Sequence, residues 1–112
     1  MKTPQEKRRH ARVALFQEYL LELDGKHYKG FTGNISLGGA YLHNITPPLP
    51  QDKLTKTGRI TLDLEGTSIR MSCQIVFIGT GEIPKLEGVG VAFLATDPRV
   101  MKKLQAFLLK KI

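Results

Sequence analysis

Apolar and polar residues alternate along most of the chain, with the period of two that is typical of β-strands that bury one face. The alternation is clearest over 58–64 and 69–77, where Cys73 occupies a core-facing position. Stretches rich in glycine, proline, Asp and Asn separate these segments, as expected of turns. The predicted strands are 13–23, 26–35, 40–42, 58–64, 69–77 and 88–94.

The segment 14–23 also has the composition of a helix, because leucine and glutamate favour that conformation. Asp24-Gly25 decides for a strand, since this dipeptide is a strong signal for a two-residue hairpin turn. Residues 26–35 then form the return strand. A turn with two adjacent glycines follows over 34–39.

Other connections follow from glycine and proline. The proline-rich segment 46–50 is predicted to be a stiff surface loop, because proline cannot donate to a strand ladder. The chain is predicted to turn at 65–66, and 79–87 is a polar hairpin loop. Gly88 and Gly90 lie inside a strand pattern and indicate a bulge or close packing.

The C-terminal segment 97–111 is predicted to be a helix. Thr96 and Asp97 supply a cap, and Pro98 fits the first turn. Apolar residues then recur at helical spacing and form a stripe that should pack on the sheet. The stripe consists of Val100, Met101, Leu104, Phe107, Leu108 and Leu109. The expected fold is all-β with a C-terminal helix: a small antiparallel β-barrel of six to seven strands over 13–112, preceded by a flexible basic arm over 1–12.

Length and composition narrow the class of protein. With 112 residues and 41% apolar residues, the chain is predicted to be a single globular domain. No apolar run approaches the ~18 residues of a membrane span, and the basic N-terminus lacks the apolar region of a secretory signal. A lone cysteine favours a reducing cytoplasm.

The net charge of +7 is concentrated at the two ends, where the first twelve residues and the last fourteen each hold five of the 17 basic residues. Positive ends attract anionic partners, although lysines near a C-terminus often serve solubility alone.

The sequence contains no evident catalytic constellation. The three histidines lack metal-ligand spacing to other ligands, and no pair of carboxylates suggests acid–base chemistry. No glycine-rich loop runs from a strand into a helix. We therefore expect a binding domain rather than an enzyme, with no cofactor and no metal.

Two short polar motifs remain. Arg8 and Arg12 are spaced RxxxR immediately before the first strand, and Asn34, Ser36 and Gly39 are spaced NxSxxG at the end of the second. If the strands pair through the Asp-Gly turn, Arg12 and Asn34 lie near the same open end of the hairpin. The spacing predicts that the arm folds over the turn to form one site.

In this order and at this separation, the two motifs resemble those of the PilZ domain family of bacterial cyclic di-GMP receptors. The resemblance covers nearly the whole chain and implies a cyclic di-GMP ligand. It assigns Arg8 and Arg12 to guanine and phosphate, for which a guanidinium offers a planar fork and a charge. Asn34 and Ser36 would bond the opposite guanine edge, and Gly39 would leave room for the ligand. The implied ligand-binding residues, including the further candidate inside the motif, are Arg8, Arg9, Arg12, Asn34, Ser36 and Gly39.

Some positions depart from the family pattern or stay open. The family often has Asp where this chain has Asn34, which still offers a donor and an acceptor. The residue before the arginine motif biases the family between one bound ligand and a stacked pair; here it is Lys7 and not arginine, so the stoichiometry is left open. Contacts from Lys7, His10 and Phe77 are also open, and periodicity places Phe77 in the core.

The resemblance implies a receptor whose arm over 1–12 changes conformation when ligand binds and signals to an unidentified output protein. One alternative is a PilZ-like adaptor that acts only through protein contacts. A second is a basic β-barrel for single-stranded nucleic acid, which favours exposed aromatic residues, whereas the eight aromatic residues here are expected mostly to face the core.

Overall fold

In a computed structural model that describes residues 13–79, 88–94 and 97–111, the chain forms a β-barrel with one α-helix against it. The strands are β1 (Val13–Ala14), β2 (Glu18–Leu23), β3 (Lys26–Ile35), β4 (Gly39–Thr46), β5 (Thr57–Leu64), β6 (Thr67–Ile78) and β7 (Val89–Phe93). A short 3₁₀ helix covers Gln51–Lys53, and the α-helix, α1, covers Pro98–Lys111. The predicted all-β fold with a C-terminal helix is confirmed.

Antiparallel pairing closes the sheet on itself. The strand order is β3-β2-β5-β6-β7-β4, and β4 pairs back with β3 to complete a barrel of six strands. The short strand β1 pairs with the end of β3, on the side where β2 pairs with the rest of that strand. Closure removes the free edges that an open sheet would expose.

Two tight hairpins organise the chain as predicted. Asp24 and Gly25 have φ values of 51° and 77°, and they join Leu23 to its pairing partner Lys26. A second two-residue turn, at Glu65 and Gly66, joins β5 to β6. Positive φ at both turn residues matches the right-handed twist of the flanking strands.

The prediction of one continuous strand over 13–23 is wrong, because the chain bends between β1 and β2. The buried hydroxyl of Thr32 occupies this bend: it donates to the Leu15 carbonyl oxygen at 2.6 Å and accepts from the Gln17 amide at 3.0 Å. The bend turns Phe16 outward, where 77% of its surface is exposed and its ring packs edge-on against Phe31.

Other boundaries also differ from the prediction. Strand β4 runs over Gly39–Thr46 rather than 40–42. The pairing with β3 is irregular around Asn44, whose φ is 52°, and it resumes at Thr46, so the strand continues beyond the predicted end. The proline-rich loop is not wholly superficial, since Leu49 is buried. The last strand agrees closely with its prediction, whereas most of the predicted loop over 79–87 lies outside the described residues.

The barrel interior holds the expected aliphatic side chains, and Cys73 is fully buried among them. Helix α1 adds Leu104, Phe107 and Leu108 to this core. Leu109 is 64% exposed, so its predicted place in the stripe is wrong: it lies about 100° around the helix from Leu108.

The ends of α1 are fixed by polar contacts. An oxygen of the Asp97 carboxylate accepts a hydrogen bond from the Arg99 amide at 2.9 Å, as predicted for a cap, whereas Thr96 lies outside the described residues. Lys111 pairs with Glu65 in the β5–β6 turn. Among the residues described, no helix is long and apolar enough to cross a membrane.

The expectation that most aromatic residues face the core is wrong. Only Tyr19, Tyr28 and Phe107 are buried. Phe93 is partly buried and packs against the core. The other four lie on or near the outer surface: Phe16 at the bend before β2, Phe31 and Tyr41 at outward positions of their strands, and Phe77 after the register shift in β6.

Candidate functional site

The pairing of β1 brings the N-terminal segment to the turn between β3 and β4. Val13 is opposite Ile35 and Ala14 is opposite Asn34. Arg12 is bonded to Val13, so it joins the barrel beside the residue that precedes Ser36. Arg8, Arg9 and Arg12 themselves lie outside the described residues. Because four residues of extended chain span at most roughly 14 Å, Arg8 can lie no farther than that from Arg12.

Ser36 shapes the turn. Its amide donates to the Gly39 carbonyl at 2.8 Å, and its hydroxyl oxygen accepts a hydrogen bond from the Gly38 amide at 3.1 Å. The hydroxyl also makes a long contact of 3.4 Å to the Gly39 carbonyl, and the residue is buried. The oxygen is therefore used within the turn, while its donor is only weakly engaged.

Gly39 allows a neighbouring strand to approach. A Cβ atom at this position would lie 2.2 Å from the carbonyl oxygen of Val91, and Gly39 pairs with Ala92 in β7. The Phe93 amide also bonds the Gly38 carbonyl at 2.8 Å. The family resemblance implied that Gly39 leaves room for the ligand, but strand β7 already occupies the position of the missing side chain.

Asn34 offers an available amide. It lies in β3 between Ala14 and Tyr41, and it is half-buried. No hydrogen bond engages its side chain within the described part of the chain. An amide can donate to and accept from the edge of a base, so Asn34 has the chemistry that the motif requires.

An aromatic surface extends from Asn34 across three strands. Asn34 is opposite Tyr41, Tyr41 is opposite Gly90, and Gly90 is opposite Phe77. The rings of Tyr41 and Phe77 stack across Gly90, with centroids 6.2 Å apart and planes 30° apart. His43 packs edge-on against Tyr41 at 5.0 Å. Such rings provide a stacking surface for a nucleobase.

Gly90 in β7 and Gly88 just before it make this surface possible, which confirms the prediction of close packing there. Gly90 has no side chain between the two stacked rings. Gly88 has a φ of 127°, and a Cβ atom on it would lie 2.7 Å from a ring carbon of Tyr41.

Two aromatic residues of the candidate site were missed or misplaced by the sequence analysis. Tyr41 was assigned only to a strand, although the buried positions of Ala40 and Leu42 on either side put it on the outer face. Phe77 was placed in the core, but a register shift after Ile75 moves it to the half-buried surface. Neither residue belongs to the two motifs.

Nucleophilic and metal chemistry are not supported by the described residues. Burial raises the pKa of the Cys73 thiol to about 11, so it is protonated at neutral pH. In the residues that the structure covers, His, Cys, Asp and Glu form no group of three able to hold a metal ion. The arrangement offers hydrogen bonding, aromatic stacking and the positive charge of the arginines that precede Val13 in the sequence.

Comparisons with known proteins identify the family from the sequence and similar folds from the structure. The sequence matches the PilZ domain family over residues 6–110. The structure is similar to the PilZ domain of CeSA from a cellulose-synthesizing bacterium, at 14% identity and a TM-score of 0.69 over 89% of this chain and 96% of that one. It is also similar to the PilZ domain of YcgR from Escherichia coli, solved with c-di-GMP, at 19% identity and a TM-score of 0.71 over 94% and 91% of the two chains.

A third similar structure is the Bacillus subtilis inhibitor of motility MotI/DgrA, at 17% identity and a TM-score of 0.75. That match covers 96% of this chain and 55% of the other, so this chain spans about half of that protein. Among curated proteins, none matched the sequence. Because the family match extends over nearly the whole chain, this protein belongs to the PilZ domain family.

Proposed function

We propose that this protein is a cyclic di-GMP receptor, which binds the nucleotide between residues 1–12 and the β3–β4 turn. The observation that carries the proposal is the pairing of Val13 with Ile35, because it joins the arginine motif to the barrel beside the NxSxxG motif. Family membership supports the same ligand, as does the likeness to a PilZ domain solved with c-di-GMP.

Each group of residues has a distinct role in the proposed complex. Arg8 and Arg12 pair with guanine O6 and N7 and with phosphate, and Arg9 is a further candidate for phosphate. The amide of Asn34 bonds the edge of the opposite guanine. Ser36 holds the turn and contributes its weakly engaged donor.

The aromatic surface adds a contact that the motifs do not contain. Tyr41 and Phe77 lie in the same cross-strand row as Asn34, so a base bonded by the amide is within reach of their rings. Stacking on an aromatic side chain contributes about 1–3 kcal/mol per base. Gly39 acts indirectly, by letting β7 approach the turn.

Signalling follows from a change in residues 1–12. Ligand contacts from the arginines would fix this segment over the turn and change the surface that another protein meets. The output protein would be a partner that binds the ligand-free and the ligand-bound states of this protein with different affinity. Protection of the bonds after Arg8 and Arg9 from trypsin by cyclic di-GMP tests this step, with GTP in place of cyclic di-GMP as the control.

Calorimetric titration of the whole chain tests the ligand. Cyclic di-GMP is titrated beside GTP and a short single-stranded oligonucleotide, and heat is expected with cyclic di-GMP at micromolar concentrations. The oligonucleotide is included because Phe16 and Phe31 are exposed, as a single-strand binder would require. Absence of heat with cyclic di-GMP, or tighter binding of the oligonucleotide, would refute the proposal.

A further inference from the structure

An open groove crosses the outer surface of β2, β3 and β4, apart from the proposed nucleotide site. Its volume is about 570 Å³. Its lining comes from three strands: Glu18, Tyr19 and Leu20 of β2, Lys29, Gly30 and Phe31 of β3, and Asn44 and Thr46 of β4. A Cβ atom on Gly30 would lie within 3 Å of two carbonyl oxygens of β4, so this position has no room for a side chain.

The apolar residues of the groove are exposed to solvent, and one of them packs against a neighbouring aromatic ring. Leu20 is 36% exposed and Phe31 is 42% exposed, and Phe16 packs edge-on against Phe31 at 6.3 Å. The segment around Phe16 is held to β3 by the two hydrogen bonds of the buried Thr32 hydroxyl and by backbone hydrogen bonds with Thr32 and Gly33. A contiguous apolar patch that the backbone holds in solvent marks a surface for association.

The strand register arranges four groove residues in a quartet. Glu18 is opposite Phe31, and Leu20 is opposite Lys29. Because side chains on one face are two residues apart along a strand, the charged residues lie on one diagonal of the quartet and the apolar residues lie on the other. This arrangement complements a second copy of itself.

We propose that the groove is the surface through which two copies of this chain associate, with a two-fold axis along the Leu20–Phe31 diagonal. Rotation about that axis places Phe31 against the partner's Phe31 and Leu20 against the partner's Leu20. The same rotation exchanges the charged diagonal, so Glu18 faces the partner's Lys29 in both directions. A two-fold contact requires this kind of self-complementary patch.

The same two-fold rotation brings Phe16, the most exposed aromatic side chain, onto the partner's surface. Phe16 lies beyond Glu18 along the chain, on the side of Phe31. With strands about 4.8 Å apart and residues rising about 3.4 Å, the rotation carries it over the β3–β4 side of the partner's groove. There Asn44 and Thr46 of β4 line the groove, beside the irregular pairing of β4 with β3.

Charge complementarity within the quartet favours a second copy as its occupant, because the two-fold rotation sets each Glu18 against the partner's Lys29. The quartet holds one acid and one base, so like copies meet there without local net repulsion. The chain as a whole carries a net charge of +7, so two copies repel each other over most other orientations. This repulsion predicts a weak and reversible dimer, with a Kd on the order of 100 µM.

Sedimentation equilibrium of the whole chain between about 10 and 500 µM tests the proposal. We expect wild-type protein to dimerise with concentration. Glu18→Lys alone and Lys29→Glu alone should each raise the Kd at least tenfold, because each places like charges opposite one another. The double variant should restore the Kd to within about threefold, since the charges again face opposite partners.

Apolar variants complete the experiment. Phe16→Ser should raise the Kd about tenfold, whereas Leu109→Ser removes a similarly exposed side chain from α1 and should leave it unchanged. All altered residues are exposed, so equal melting temperatures are expected. A monomer at every concentration, or a double variant no better than the single variants, would overturn the proposal. Neither result bears on cyclic di-GMP binding, which uses other residues.

Discussion

At the scale of single residues, the β3–β4 turn contains two classes of residue: those that build the turn and those proposed to bind the ligand. Ser36 and Gly39 are engaged by the turn and by β7, whereas the amide of Asn34 is available. These two classes predict different outcomes on mutation. Changes to the first class should lower stability and binding together, and changes to the second should lower binding alone.

Arg8→Ala and Arg12→Ala should each weaken cyclic di-GMP binding by about 1–3 kcal/mol, the usual value of a bidentate contact to guanine. Calorimetry measures the loss. Arg59→Ala is the matched control, because Arg59 is exposed on β5, which pairs only with β2 and β6. Melting without ligand should not change. If Arg12→Ala unfolds the domain, that arginine is structural and the assignment of the site is wrong.

Gly39→Ala should destabilise the fold by about 3 kcal/mol, because the new methyl group collides with the backbone of Val91. Urea denaturation measures this loss, and ligand affinity should fall as well. Gly66→Ala is the control: it places a side chain in open space at a φ of 91°, and it should cost about 1 kcal/mol without affecting affinity. Equal losses in the two variants would contradict the steric explanation.

At the scale of elements, one buried hydroxyl group bonds both sides of the bend between β1 and β2, beside two backbone hydrogen bonds to β3. Thr32→Val keeps the shape of the side chain but leaves the Gln17 amide and the Leu15 carbonyl without their partner. We expect a loss of about 1–3 kcal/mol in the free energy of unfolding, measured by urea denaturation. Thr32→Ser retains the hydroxyl and should lose less. If the two variants were equally destabilised, packing of the methyl group would be the cause instead.

Elements specified by neighbouring residues could be predicted from the sequence, and those specified by distant partners could not. Asp24-Gly25 fixes its hairpin through its own φ values, and Asp97-Pro98 fixes the start of α1, so both were predicted correctly. The bend at Phe16 was not, because it requires the hydroxyl of Thr32 on another strand. Local alternation carries no information about that partner.

The candidate site divides in the same way. Asn34, Ser36 and Gly39 form a contiguous motif, so they could be recognised from their spacing. The aromatic surface could not, because it requires the register shift that moves Phe77 outward and the glycine of β7 that lies between the rings. Three strands must be aligned before those residues come together.

At the scale of the whole molecule, the stability of the barrel is linked to the protonation of its interior. Cys73 is fully buried, and burial raises its pKa from 9.0 to about 11. Burial also raises the pKa of Tyr19. Unfolded chains release these protons at lower pH than the folded chain does, so stability is full below pH 9 and falls as the pH rises above it.

Between pH 8 and pH 10, Cys73 should account for a loss of about 1 kcal/mol in the free energy of unfolding. Urea denaturation at the two pH values measures the change. Cys73→Ala lowers stability at both pH values because it leaves a cavity, but the decrease between them should be smaller than in wild type. An equal decrease in the two proteins would show that the thiol does not titrate on unfolding.

Closure of the barrel also limits how partners can be recognised. In the part of the chain that the structure describes, each strand from β2 to β7 has a partner strand on both sides over at least part of its length, whereas β1 pairs on one side only and is two residues long. Such an edge is too short to accept an added strand from another protein, a common mode of peptide recognition. Recognition through side chains of the outer surface, in contrast, can change by surface substitutions that leave every backbone pairing in place.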